Sequence, residues 1–140
     1  MHAQALLLTQ RVLDDEHVVE AVVVDVRPLR LQLGPDAHAE VDLDQLEAQL
    51  KAGVVGLVSV MMANNETGVV QPLRDVSSIA HAHGAFLFSD TTQAAGKVLI
   101  DVDEEGIDLC CVSAHKLYGP KGAGALFVRR KNPRVAVAAQ

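Results

Sequence analysis

Near-continuous apolar runs alternate along this chain with segments whose apolar residues recur at helical spacing, and that alternation sets the expected architecture. Residues 54–62 run almost wholly apolar, as a strand covered on both faces of a parallel sheet does. Residues 73–83 place Leu73, Val76, Ile79 and Ala80 on one helical face, and Gly84 stops the helix. Residues 85–89 and 107–112 read as a second and a third buried strand, and 123–130 as a fourth beyond a Gly/Pro turn. Upstream, Leu43, Leu46 and Leu50 fall at i, i+3 and i+7 of a helix over 42–51. Asp42 at its start and Lys51 at its end both suit the helix dipole. Residues 17–26 are valine-rich and read as a strand that Arg27-Pro28 breaks, and Gly34-Pro35-Asp36 reads as a turn. Residues 3–13, with leucines and a valine at mixed helical spacing ahead of Asp14-Asp15-Glu16, predict an amphipathic helix or a helix end.

The pattern predicts an α/β fold, a mostly parallel sheet flanked by helices. Three of the predicted strands finish in short polar runs: Asn64-Asn65-Glu66-Thr67-Gly68, Asp90-Thr91-Thr92-Gln93 and Ser113-Ala114-His115-Lys116. Ligand sites of open α/β sheets lie at the carboxyl ends of the strands, so Asn65, Asp90, Gln93, Ser113, His115 and Lys116 are expected to converge. Glu66 reads as the residue that organises the turn rather than as a catalytic acid. Lys116 stands at a strand-to-loop boundary, where it is expected to be screened from water; a desolvated lysine is a competent nucleophile toward a carbonyl.

Composition narrows the partners. A chain of 140 residues with 49% apolar and 21% charged residues is globular, and one domain by length. The net charge of −6, with Arg129-Arg130-Lys131 the one basic run, argues against nucleic acid. No stretch is apolar for long enough to cross a membrane and the first residues do not form a signal peptide, so the cytoplasm is the expected location. Cys110 and Cys111 are adjacent and without a third, which excludes a disulfide framework; inside an apolar run they read as core residues. The other histidines, including the i, i+2 pair His81 and His83, read as residues without a role, and no metal site is expected.

A lysine, an acid, an amide donor, a serine and a histidine at one sheet edge supply every part that a pyridoxal phosphate site requires except an anion-binding helix N-terminus. A Ser/His/Asp triad remains open by composition, since Ser113, His115 and Asp90 all occur, but there is no G-x-S-x-G elbow. The glycines of 119–124 fit neither the P-loop nor the dinucleotide fingerprint. Three motifs, residues 63–72, 89–97 and 113–122, closely resemble those of the cysteine desulfurases, in the class V aminotransferase-like group of pyridoxal phosphate enzymes. The resemblance runs from Val41 to Gln140 and implies part of the large domain of a fold type I transferase. It implies Lys116 as the Schiff-base lysine, Asp90 as partner of the pyridine nitrogen and Gln93 as donor to the ring hydroxyl. It also implies Ser113 and His115 at the phosphate, and Asn65 near the ring hydroxyl and the substrate carboxylate.

The same resemblance implies L-cysteine as substrate, alanine and an enzyme persulfide as products, a homodimer, and a sulfur-acceptor or scaffold protein in iron-sulfur or thio-cofactor synthesis. Selenocysteine lyase, which shares these motifs, and a non-catalytic fragment of the fold are the alternatives. Residues 1–140 are expected to be an incomplete cofactor-binding large domain, without the family's phosphate-loop segment and ring-stacking histidine, and without the small domain that carries the sulfur-accepting cysteine. On that expectation the isolated chain is inactive.

Overall fold

The apolar runs form strands and the periodic segments form helices in a computed structural model that describes residues 9–14, 17–22, 40–53 and 55–137. The order is β1 (Thr9–Asp14), β2 (His17–Val22), α1 (Leu43–Ala52), β3 (Leu57–Met61), α2 (Leu73–Ala82), β4 (Phe86–Asp90), β5 (Leu109–Ser113), a 3-10 turn (Ala114–Leu117) and β6 (Gly124–Val128). One sheet has the strand order β3-β4-β5-β6, and β1 and β2 pair separately. β3, β4 and β5 are mutually parallel, whereas β6 returns antiparallel to β5. The parallel pairs require crossovers, supplied by α2 between β3 and β4 and by residues 91–108 between β4 and β5.

Each helix forms for a local reason and is held by what it buries. Asp42 caps α1, its Oδ1 accepting the Gln45 backbone N–H at 3.0 Å, and Lys51 closes the last turn in a pair with Glu47 at 2.8 Å. Leu46 and Leu50 are the buried residues of that helix. Asp42→Ala removes the capping acceptor and is expected to lower stability by about 1 kcal/mol. An unchanged thermal midpoint would show that the cap is dispensable. α2 buries Leu73, Val76, Ser77 and Ala80, and the chain leaves it through Gly84 at a φ of 74°, the left-handed exit that the glycine predicts. The Gln71 side chain ties the two helical segments together, its Oε1 accepting the Val41 N–H at 2.8 Å.

The main core lies between the helices and one face of the sheet, where Leu46, Leu50, Val76 and Ala80 meet Val58, Val60, Leu87 and Cys110. On the opposite face a smaller cluster joins Phe86 and Leu109 to Val135 in the C-terminal segment. A polar cluster closes the helix end of the sheet. Asp108, fully buried, accepts the Leu87 N–H at 2.8 Å and lies 2.7 Å from Nε2 of His81, which gives that histidine a structural part where none was expected.

Two expectations change. Residues 9–13 belong to a strand rather than a helix, because β1 pairs antiparallel with the valine-rich β2 across a two-residue link. A complete ladder outweighs a weak helical spacing. β3 is not covered on both faces: Ser59 is exposed while Val58 and Val60 are buried, since both helices pack on one side. The predicted strand continuation over 23–26, the turn at Gly34-Pro35-Asp36 and residues 3–8 lie outside the described residues. The mostly parallel α/β sheet is as expected, with β6 as its antiparallel member.

Candidate active site

Side chains alternate between the faces of a strand, so register decides which residues share a surface. Met61 pairs with Asp90, Asp90 with Cys111, and Cys111 with Leu126. These four form one row across the face turned away from the helices, with Ser113 and Gly124 in the row beyond. The helix side of the same sheet carries Val60, Ser89, Cys110 and Phe127. Asp90 is the last residue of β4 and Ser113 the last of β5, so both stand at the carboxyl edge of adjacent parallel strands.

The backbone leaves β4 in a constrained way. Both the N–H and the Oγ1–H of Thr91 donate to the Cys111 carbonyl, at 3.0 and 2.9 Å, which pins the exit of β4 across β5. The Thr92 N–H donates to Asp90 Oδ1 at 2.9 Å and turns that half-buried carboxylate back over its own strand end. A helical turn follows, with the Ala94 and Ala95 N–H groups donating to the Thr91 carbonyl. It delivers Gln93, whose Oε1 accepts from Lys97 Nζ at 3.3 Å.

β5 runs into the 3-10 turn that carries His115 and Lys116. Ser113 Oγ lies 2.7 Å from His115 Nδ1, the one direct hydrogen bond described between two of the six predicted site residues. The Gly119 N–H donates to the Ala114 carbonyl at 2.9 Å and closes the turn. This turn packs against the one that holds Gln93. A Cβ at Gly96 would stand 2.8 Å from Leu117 Cδ2, so the glycine, at a φ of 74°, permits the approach.

Asn65 lies at the same edge of the sheet, exposed in the turn after β3. Asn64 organises that turn: its Oδ1 accepts the N–H groups of Glu66 and Thr67 at 2.8 and 3.0 Å, so the Glu66 side chain is not what shapes it. All six predicted residues therefore belong to the carboxyl edge of β3, β4 and β5.

Two expectations about this edge are corrected. Lys116 is exposed, not screened, because the turn carries it past the end of β5 instead of leaving it within the strand. The two cysteines do not share one role as core residues. Cys110 is buried on the helix side, and burial pushes its thiol up. Cys111 is half-buried and is the register partner of Asp90; its thiol is pushed up by burial and then by the charge of the Asp90 carboxylate. The signal that places Cys111 is the two-residue period of a strand, since it stands two positions before Ser113 and so shares its face.

The chain has relatives among known proteins. Residues 21–136 match the family model described as Aminotransferase class-V. A mitochondrial cysteine desulfurase of Eremothecium gossypii is 54% identical over 95 residues, 68% of this chain and 19% of that protein. Cysteine desulfurase IscS of an Anaeromyxobacter species is 44% identical over 129 residues, 92% of this chain and 30% of that protein. Among solved structures, a NifS-like protein from Rickettsia africae superposes with a TM-score of 0.60 at 37% identity, over 62% of this chain and 25% of that one. A protein named SspA, in complex with cysteine, gives a TM-score of 0.60 at 37% identity, over 69% of this chain and 28% of the other. The chain thus spans under a third of the length of these relatives, and by the family model and the shared fold it belongs to the aminotransferase class-V family.

Proposed function

We propose that the chain is the cofactor-binding core of a pyridoxal-phosphate-dependent cysteine desulfurase. The observation that carries the reading is the meeting of Asp90 with Ser113, His115 and Lys116 at the ends of two adjacent parallel strands. The donor set fits the cofactor. A phosphate suits Ser113 and His115, already in contact at 2.7 Å, and a protonated ring nitrogen suits a half-buried carboxylate whose Oδ1 is held by the Thr92 N–H. Gln93, its Oε1 occupied by Lys97, keeps its amide N–H groups for the ring hydroxyl. Asn65 is assigned to the ring hydroxyl and the substrate carboxylate.

In this reading the cofactor, when bound, supplies an electron sink for charge that develops at the substrate alpha carbon. Asp90 keeps a proton on the ring nitrogen by ion pairing. Lys116 would hold the cofactor through its amine, and the same amine would take and return the proton at the substrate alpha carbon. The 3-10 turn suits that double role, because it leaves the amine free at the surface of the edge.

L-Cysteine is the proposed substrate, supported by the relatives' names and by the SspA structure with cysteine. A homodimer, a protein sulfur acceptor in iron-sulfur cluster or thio-cofactor synthesis, and a cytoplasmic setting complete the proposal. No helix among the described residues is long and apolar enough to cross a membrane. Titrating pyridoxal phosphate into the purified chain should raise an absorbance band in the near-visible region that Lys116→Ala abolishes. A chain that gives no band, or a band indifferent to the substitution, sinks the reading.

A further inference from the structure

The Lys116 side chain is not held in place: it is exposed, and among the described residues its amine has no hydrogen-bond or ion-pair partner. A lysine carries its amine on a flexible stem, so the backbone beneath Lys116 sets what the amine can reach. That backbone closes on itself. The Ala114 N–H donates to the Ala123 carbonyl at 3.0 Å, and the Gly119 N–H donates to the Ala114 carbonyl at 2.9 Å. A Cβ at Gly119 would stand 2.9 Å from Ala114 Cβ, and Tyr118 takes the left-handed conformation, at a φ of 60°, that the closure demands. These bonds make the 3-10 turn a unit, but none of them ties it to the segment that follows β4.

The tie to that segment is Leu117. Its Cδ2 lies 2.8 Å from the place a Cβ of Gly96 would take, so the leucine fills the space left by the missing side chain. Gly96 belongs to the turn that carries Gln93, and that turn is itself anchored: the Ala94 and Ala95 N–H groups donate to the Thr91 carbonyl, and Thr91 donates to the Cys111 carbonyl. An apolar contact thus joins the immediate neighbour of Lys116 to the segment of Asp90 and Gln93. His115 does not depend on it, because its ring is tied to the end of β5 by Ser113 Oγ at 2.7 Å.

We propose that Leu117 is a positioning residue: seated on Gly96, it fixes the tilt of the 3-10 turn toward the Asp90–Gln93 segment and so the arc from which the Lys116 amine meets the cofactor's aldehyde carbon. The assignment rests on the proposed part of Lys116 and extends it to a side chain with no chemistry of its own. Loosening Leu117 leaves Ser113, His115, Asp90 and Gln93 with their partners. What suffers is the C=N bond, which forms when the amine nitrogen adds to the aldehyde carbon and the carbonyl oxygen leaves as water with the two amine protons.

The test compares pyridoxal phosphate with pyridoxine phosphate, whose alcohol in place of the aldehyde forms no C=N bond, each titrated into the 140-residue chain and its variants. Leu117→Ala is expected to weaken pyridoxal phosphate about tenfold and to leave pyridoxine phosphate within about twofold. Leu117→Met, of similar volume, should recover pyridoxal phosphate to within about threefold of the parent. Equal losses for both ligands, or none for either, overturn the assignment and leave the functional reading in place. Failure of the unsubstituted chain to bind pyridoxal phosphate overturns the functional reading and the assignment with it. The contact itself is checked without cofactor, by urea unfolding of Gly96→Ala, Leu117→Ala and the pair. The folding constant of the pair should exceed the value expected from independent losses by about fivefold, because truncating Leu117 removes the clash, and independent losses refute the contact.

Discussion

Replacing Asp108 with alanine is expected to destabilise the chain by about 3–4 kcal/mol, a large part of the 5–15 kcal/mol that holds a typical domain together. The residue is fully buried and serves three elements at once. Its Oδ2 accepts the Leu87 N–H at 2.8 Å and meets His81 Nε2 at 2.7 Å, while Oδ1 makes no hydrogen bond and faces Arg129 Nε at 3.6 Å. Its own backbone donates to the Leu87 carbonyl at 3.0 Å and accepts the Arg129 N–H at 2.8 Å.

Alanine at this position strands the buried Leu87 N–H, at about 1–3 kcal/mol, and removes the farther of two carboxylates that face a largely buried guanidinium, the nearer being Asp103 at 2.6 Å. The His81 contact adds less, because that side chain is 37% exposed. Asp108→Asn keeps an acceptor for Leu87 and should cost only about half as much. Urea unfolding of the three proteins separates these outcomes. An alanine variant within about 1 kcal/mol of the parent would mean that the cluster is not what joins β4, β5 and β6.

Gly106→Ala should cost about 2–4 kcal/mol, from two sources that act together. Gly106 has a φ of 66°, where a side chain is strained, and a Cβ there would fall 2.4 Å from Ser77 Oγ and 2.9 Å from Ser77 Cβ. Ser77 cannot swing aside freely, being buried in α2 with its hydroxyl donating to the Arg74 carbonyl at 2.9 Å. The added methyl must therefore push the crossover loop off the helix. Ser77→Ala in the same chain removes the Oγ clash and should recover part of the loss, a coupling that two independent sites would not show. Gly53→Ala is the control, since nothing lies within 4 Å of a Cβ there and its φ of −157° is ordinary extended backbone. A Gly106 variant that unfolds with the Gly53 variant would refute the close contact.

Much of the fold is legible in the chain itself. The helix of 42–51 announces itself by Leu43, Leu46 and Leu50 and by the cap at Asp42, and that of 73–83 by its apolar face and Gly84. The strands were legible as runs with shifted bounds: β3 and β6 form over narrower spans than the runs that predict them, whereas β4 and β5 each extend one residue beyond theirs, to Asp90 and Ser113, because pairing with a neighbour does not depend on apolar character. What misled the reading at 9–13 was a local signal judged without its partner strand. The candidate site was legible in the same uneven way. The polar strand ends marked out Asn65, Asp90, Gln93, Ser113, His115 and Lys116, whereas the exposure of Lys116 and the placing of Cys111 opposite Asp90 were not visible in the chain.

By itself, the order of residues determined which segments pair as strands of a mostly parallel sheet, where their polar ends fall, and the motifs that mark the family. Those properties are local: a period, a cap or a motif lies within a dozen residues. Only the tertiary structure decided that Asp90 meets Cys111, that Gly96 lets Leu117 approach, and that Asp108 answers to Leu87, His81 and Arg129. Each of those contacts joins residues some twenty or more positions apart. Their partners are set by strand register and by the packing of the crossovers, which no local pattern encodes.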